Sequence, residues 1–345
     1  MTALAKLYEA PVPVVFRNVI IVGASSGFRG LAFTSIIFGQ VKSPSAFSHP
    51  RHGPCTHRRA PFVFKDIIPQ VLWKIQSKIT YYDQAIMDLH HNLQATWDHV
   101  LKSYEPGVIE MAGVIMTQII GFIVPATVYM LIDTLFPEFS NHHKIQGARR
   151  QPTRQQVLHC IKVSLFNQLW IVAIHSTLVW FTGLEHANLN LDPIVPPWRE
   201  FIIDFAFGLL AREISFYYIH RALHHPRIYV YIHKMHHKYI TPMAFSAEYA
   251  HPVEHILANV MPVTLPLYLK GAHILSIMTF VTFELWEAAA DHSGYDFLKL
   301  PPAELHDLHH EKFRVNYGTI GLMDWLHGTD VVGWDKPEAK KAKEG

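Results

Sequence analysis

Cysteine is nearly missing from this chain. Among 345 residues there are only Cys55 and Cys160, too few for a disulfide framework. Neither lies among the histidines described below, so an iron–sulfur cluster or thiolate-rich zinc site has no ligands there. Charge is scarce as well: 17% of residues are charged and the net charge is +2, which leaves no footprint for nucleic acid. No Asn-x-Ser/Thr acceptor and no His-Glu-x-x-His metallopeptidase motif occurs. The start lacks a basic region followed by a clean apolar core, so no cleaved signal peptide is expected. Half of the residues are apolar and the mean hydropathy is +0.11. That is too apolar for an ordinary soluble domain and fits several membrane segments.

Histidine is abundant. There are 25, and thirteen fall between His220 and His310. They form boxes: His220-Arg-Ala-Leu-His224-His225, His233-Lys-Met-His236-His237, His251-Pro-Val-Glu254-His255, the single Asp291-His292, and His306-Asp307-Leu-His309-His310. On a helix, positions i, i+3 and i+4 share a face, so His-x-x-His-His predicts three imidazoles on one side. A buried neutral imidazole needs both a donor and an acceptor partner, which makes such a face poor core and good ligand. The number of histidines exceeds the four that close a structural zinc site. It suits two metals with around five ligands each. All-imidazole sites suit Zn, Cu, Fe or Ni.

The remaining stretches read as scaffold. Residues 14–40 form a poor first span or an interfacial helix. Within them Val22-Gly-Ala-Ser-Ser-Gly27-Phe-Arg-Gly30 suggests a dinucleotide loop, but no ribose-binding acid follows and the only Tyr-x-x-x-Lys, Tyr295 to Lys299, lies in the histidine region. Small residues in a membrane-associated segment are the better reading. Residues 42–65 read as irregular, with His49, His52 and His57 on the surface. Residues 66–106 read as one or two surface amphipathic helices, with His90 and His91 solvated.

Val108 to Leu135 and Val157 to Leu184 are long enough to span a bilayer. His159 and His175 in the second run read as core or pore-lining rather than ligands. Phe201 to Tyr218 reads as a third span. Its Asp204, Arg212 and Glu213 are expected to pair with neighbouring helices, or else to support metal ligands from behind or face a substrate cavity. Ile256 to Ala290 is broken by Pro262, Pro266 and Lys270-Gly271, and predicts a hairpin of two short helices that brings the boxes on either side together. The basic loop 136–156 and Arg221, Arg227, Lys234 and Lys238 put the boxes on the cytosolic face. Lys341 and Lys343 near the end resemble an endoplasmic-reticulum retrieval signal or belong to a plain solvated tail.

The expected fold is an all-α integral membrane protein. It has about four membrane helices or hairpin segments and a cytosolic histidine-rich di-metal domain. An N-terminal segment 1–105 precedes a membrane-embedded domain 106–330 and a polar tail 331–345.

The boxes and their order resemble the fatty acid hydroxylase/sterol desaturase superfamily over roughly residues 105–330. Phe245-Ser-Ala-Glu-Tyr-Ala-His251-Pro-Val-Glu254 and Asp291-His292-Ser-Gly-Tyr-Asp-Phe297 are similar to the C4-methylsterol oxidase branch. Ala250-His-Pro-Val-Glu-His255 with Leu326-His-Gly-Thr-Asp330 is also similar to fatty-acid-hydroxylase-domain-containing proteins. The resemblance implies a non-haem di-iron oxygenase of the endoplasmic reticulum membrane. Its two irons would be held by His220, His224, His233, His236, His237, His251, His292, His306, His309 and His310. His225 and His255 fall outside that pattern. Where fatty acid hydroxylases have a fuller box before the last one, Ala288 stands four residues before His292.

Electrons would come from cytochrome b5 or its NAD(P)H reductase. Glu254, Asp291 and Asp307, beside ligands, could orient imidazole N–H groups. The implied reaction is C4-methylsterol oxidation in sterol biosynthesis, completed by a separate decarboxylating dehydrogenase. Hydroxylation or desaturation of a fatty acyl, sphingoid or terpenoid lipid, and non-catalytic zinc binding in a membrane protein, are the alternatives.

Overall fold

Helices account for every regular element among the described residues of the computed structural model, which are 63–147, 151–297 and 303–331. The expectations for residues 14–40, for most of 42–65 with His49, His52 and His57, and for the tail lie outside them. From Gln70 onward the chain is one compact unit.

The first helix, α1, runs unbroken from Val63 to Ser103. Its C-terminal part docks through Trp97, whose indole N–H donates to the Asp192 carbonyl at 2.8 Å. Next, α2 (Pro106–Leu135) and α4 (Arg154–Thr182) are long and apolar enough to cross a membrane. Between them lies the short α3 (Pro137–His143). Much of α2 and α4 is uncovered by protein, with Ile119, Val128, Phe166 and Leu169 exposed, as a lipid-facing surface requires. Both helices coincide with expected spans.

The other expected membrane segments are helical but carry charge inward. In α5 (Trp198–Leu223), Asp204, Arg212 and Glu213 are buried while Ile202, Ile203 and Leu210 are exposed. Asp204 pairs with Lys270, and Arg212 pairs with Glu284 at 2.6 Å and with Glu287. This is the expected neutralisation between neighbours. Glu213 does something different, described below.

The hairpin also forms. A widened π turn over His255–Val260 leads into α6 (Met261–Lys270), which ends at Gly271 with φ 72°. A left-handed residue there suits glycine. His273 then caps α7 (Ile274–Asp291), its Nδ1 accepting from the Leu275 N–H. So the histidine set apart in the apolar run is a helix cap. A second π turn, Ile119–Ile123, sits inside α2 just ahead of Pro125. Proline lacks an N–H and crowds the preceding turn, and in both places a widened turn precedes a proline in the helix.

The residues between the second and third boxes are not helical. From Thr241 to Ala250 the chain is buried and contains no α-helix, only a 3-10 turn over Ala244–Glu248 with irregular backbone on either side. Its carbonyls need partners, and α4 supplies them. Ser164 donates to Phe245 O at 2.6 Å, and Asn167 Nδ2 donates to Glu248 O and Ala250 O at 2.8 and 2.9 Å. These bonds fix the depth of the loop that leads into the Glu254 box. Asn167→Leu leaves two buried carbonyls unpaired and is expected to cost about 2–4 kcal/mol, read as a lowered thermal midpoint in detergent. Exposed Thr177→Ala on the same helix is expected to change it by under about 0.5 kcal/mol.

Candidate metal centre

Nine of the ten histidines expected as ligands converge in two groups. His220, His224, His233, His237 and His309 form one; His236, His292, His306 and His310 form the other. Within each group the ring nitrogens lie within 4.8 Å of one another. The groups adjoin, since the His237 and His310 ring centroids are 4.7 Å apart.

Each His-x-x-His-His box divides between them. The i and i+4 members stay together: His233 with His237, and His306 with His310. The i+3 members, His236 and His309, join the opposite group. The first box keeps its i, i+4 pair, His220 and His224, in one group. The first box begins in the last turn of α5, with His224 as its C-cap, and the last box lies on α8 (Ala303–Lys312). The second occupies turns and the 3-10 segment His236–Lys238. The single shared face expected for each box is thus replaced by a division that ties the two groups together.

The elements are anchored from outside the rings. His220 Nδ1 donates to Tyr317 O and His309 Nδ1 to Val315 O, both at 2.7 Å, and His292 Nδ1 donates to Ala288 O at 2.8 Å. His236 Nδ1 faces Tyr249 O at 3.4 Å. A carbonyl can only accept, so these neutral rings present Nε2 lone pairs inward. Burial holds all nine rings below the usual histidine range, His236 at about 4 and His292 at about 3.

Inside the first group, Nε2 atoms approach at 2.9 Å (His224 to His233), 3.0 Å (His233 to His237) and 3.1 Å (His224 to His309). In the second, His292 and His306 approach at 2.9 Å and His306 and His310 at 3.1 Å. A metal with bonds of about 2.0–2.1 Å sets neighbouring nitrogens about 3 Å apart. Inward lone pairs at that spacing repel, and a cation at each centre removes the repulsion. The residues therefore fit two metal ions, and a purely imidazole set is compatible with iron.

Of the three carboxylates expected beside ligands, Glu254 touches one: its Oε1 lies 2.7 Å from His233 Nδ1. Asp307 does not orient an imidazole. It accepts from Gln146 Nε2 at 3.1 Å, and burial pushes its carboxyl up to about 7. Asp291 forms no hydrogen bond to any described histidine and lines a cavity instead. His251, the tenth expected ligand, is not brought together with the other nine. It caps the turn Pro252–Glu254, with Nδ1 accepting from the Val253 N–H, and belongs to neither group.

Two carboxylates hold the site from the far side: Glu213, for which a supporting role behind the ligands is one of the two expectations, and Asp324, for which there is none. Glu213 is fully buried and accepts from the N–H groups of Thr319, Ile320 and Met323 at 2.8–3.0 Å. Asp324 accepts from the N–H groups of Tyr317 and Gly318. Together they shape the strap that supplies the Val315 and Tyr317 carbonyls. A Cβ on Gly318 would sit 2.7 Å from Glu213, so the approach needs glycine there. An acid inside an apolar helix was the only sequence signal for Glu213, and Asp324 carried none.

Below the imidazoles lies a cavity of about 570 Å³ reached by His220, His233, His236, His292 and His306. Its lower wall is mostly apolar, including Ile171, Val263, Ile277 and Val281. That volume is in the range of sites for lipid- or drug-sized molecules. His175 also lines it, paired with Glu110 at 2.9 Å, and His159 bonds the Tyr249 hydroxyl at 3.1 Å. Neither joins a metal group.

Residues 205–329 match the family model described as fatty acid hydroxylase. The chain is 33% identical over 248 residues to the human "Fatty acid hydroxylase domain-containing protein 2", covering 69% of this chain and 73% of that one. It is 33% identical over 256 residues to "Methylsterol monooxygenase 1" of Danio rerio, covering 70% and 85%. It is 27% identical over 264 residues to "Very-long-chain aldehyde decarbonylase GL1-8" of Oryza sativa subsp. indica, covering 73% and 96%. No solved structure matches the chain.

His309→Ala and His310→Ala each remove a donor from a different group. Each is expected to lower bound metal from about two to about one ion per chain, and the pair to lower it to near zero, by elemental mass spectrometry. Metal-free protein should also be acid-sensitive. Its buried imidazoles take up protons less readily than unfolded ones, whose pKa is about 6.5. The stability this contributes is present above about pH 6.5 and is lost as pH falls toward 4 and 3, where His236 and His292 titrate in the fold. Thermal midpoints of chelator-treated protein should therefore drop steadily from pH 6.5 to 4.

Proposed function

Because the chain belongs to the fatty acid hydroxylase family, we propose that it is an O2-dependent membrane oxygenase that oxidises a lipid at a pair of non-haem irons. The observation that carries this reading is the position of the two imidazole groups at the head of a lipid-sized cavity. Iron held there supplies the O2 activation needed to oxidise an unactivated C–H bond, with two electrons from outside. The protein's own part is positional. Carbonyls of Ala288, Val315 and Tyr317 hold ring orientation, as outer partners do in metal sites generally. The apolar wall excludes water and admits a hydrocarbon skeleton.

The substrate we favour is a C4-methylsterol, oxidised at one methyl through alcohol and aldehyde to acid as a step of sterol biosynthesis. A decarboxylating dehydrogenase would then complete removal. Likeness to methylsterol monooxygenase 1 supports this, as do the Phe245–Glu254 and Asp291–Phe297 stretches. Cytochrome b5 or its reductase is the electron donor in this reading, and the endoplasmic reticulum the membrane. Arg221, Arg227, Lys234 and Lys238 are exposed beside the boxes, which supports a cytosolic face.

The test is reconstitution of purified, iron-loaded protein with cytochrome b5, its reductase and NADH. It is offered a 4,4-dimethylsterol, a fatty acyl substrate and a sphingoid base, with products identified by mass spectrometry. Oxygenated sterol is expected from wild type, and at least about 100-fold less from His236→Ala or His309→Ala. Product from another lipid class alone replaces the sterol assignment. Full activity in the folded variants, or stoichiometric zinc without O2 consumption on any lipid, overturns the oxygenase reading.

A further inference from the structure

The cavity below the imidazoles is apolar for most of its length, but four helices each place a polar side chain on its wall. These are Gln118 from α2, Gln168 from α4, Arg212 from α5 and Glu284 from α7. Packing puts them near one depth. The Phe122 and Phe245 rings are 5.8 Å apart, and Ser164 donates to Phe245 O. Residues 122 and 164 thus meet at one level, and Gln118 and Gln168 lie one turn below it on antiparallel helices. On the other side, Gly121 packs directly on Thr282 and Leu285, next to Glu284.

Several of these side chains are incompletely partnered. Glu284 is 2% exposed; one oxygen pairs with Arg212 at 2.6 Å and Oε1 has no hydrogen-bond partner. Gln168 is 4% exposed and its Nε2 has none, and Gln118 Oε1 has none. A buried polar atom left unpaired costs about 1–3 kcal/mol, so a ring of them in an apolar cavity is a site that awaits a ligand atom. The ring is close to the metal centre. The Arg212 guanidinium carbon is 5.9 Å from the Phe216 ring, whose centroid is 4.9 Å from that of His220. One aromatic ring therefore separates it from the imidazoles.

We propose that Glu284, held by Arg212 and flanked by Gln118 and Gln168, binds a hydroxyl group that the lipid carries near the carbon to be oxidised. This rests on the lipid-oxygenase reading above and names the substrate class within it. The available atoms select the chemistry. Glu284 Oε1 needs a donor, and Gln168 Nε2 needs an acceptor. A hydroxyl is both. A carboxylate head would meet Glu284, Glu287 and the cavity-lining Asp291 with a single guanidinium to offset them. An ammonium head would leave Gln168 Nε2 unpaired. A plain hydrocarbon would leave every one of these atoms unpaired. A sterol, with its ring hydroxyl beside the methylated carbon, meets the requirement, and a free fatty acid does not.

The experiment compares a 4,4-dimethylsterol with its 3-deoxy analogue, using iron-loaded protein and its reductase system. Wild type is expected to prefer the alcohol in kcat/KM by about 10- to 100-fold, as leaving a buried hydrogen-bonding group without its partner predicts. In Glu284→Leu the preference should collapse toward one, chiefly through a raised KM for the alcohol. Glu284→Gln keeps an acceptor and should retain part of it. Gln168→Leu, which leaves the Arg212 ion pairs in place, should lower the preference independently and covers the case in which Glu284→Leu does not fold. Equal oxidation of both sterols by wild type overturns the hydroxyl site alone. Oxidation of neither, with another lipid consumed, overturns the sterol reading and this inference with it.

Discussion

The structure depends on packing nine imidazoles, seven of them buried, with their Nε2 atoms facing one another. In isolation that arrangement is repulsive. It is held because outer acceptors fix the ring protons on Nδ1 for His220, His309 and His292. The two groups can therefore hold cations in the middle. Much of the rest of the fold serves those acceptors. Glu213 and Asp324 exist in the core to shape a strap whose carbonyls receive ring protons. Ser164 and Asn167 interrupt an apolar helix in order to hold the irregular backbone that leads to Glu254.

Membrane and cavity are two consequences of one charge distribution. On α2 and α4 the uncovered surface is apolar, whereas on α5 and α7 the ionisable groups turn inward. Burial of Arg212 is tolerated because Glu284 and Glu287 face it. That cluster leaves polar atoms on the cavity wall near the imidazoles, so the ion pairs that let α5 and α7 pack also place polar groups on an otherwise apolar wall. The hairpin of α6 and α7 has a comparable double role. Its two ends lie at the metal groups, with Glu254 on His233 before it and His292 after it.

Much of this was legible in the residue order. The boxes identified the ligand candidates, and length and hydropathy identified α2 and α4. Pro262, Pro266 and Gly271 identified the hairpin. Three features were not legible, for different reasons. His251 sits in a histidine motif but is used as a helix-turn cap, because the proline that follows it starts a new turn and points its ring at the Val253 N–H. The second box was read as a helical face although it lies in turns. The i+3 histidines were grouped with their own boxes although space assigns them to the neighbouring group.

By itself the sequence determined local matters: which side chains could bind metal, which segments could face lipid, and where the chain must turn. Each depends on composition or spacing within one stretch, and these survive any packing of the elements. The tertiary structure alone decided which imidazoles share a centre, which carbonyls receive their protons, and which buried polar atoms remain unpaired on the cavity wall. Those depend on distances between residues far apart in the chain, such as His224 and His309 or Glu213 and Thr319. No local pattern encodes them, because hydrogen bonds and lone-pair repulsion act over about 3 Å of space, whatever the separation in sequence.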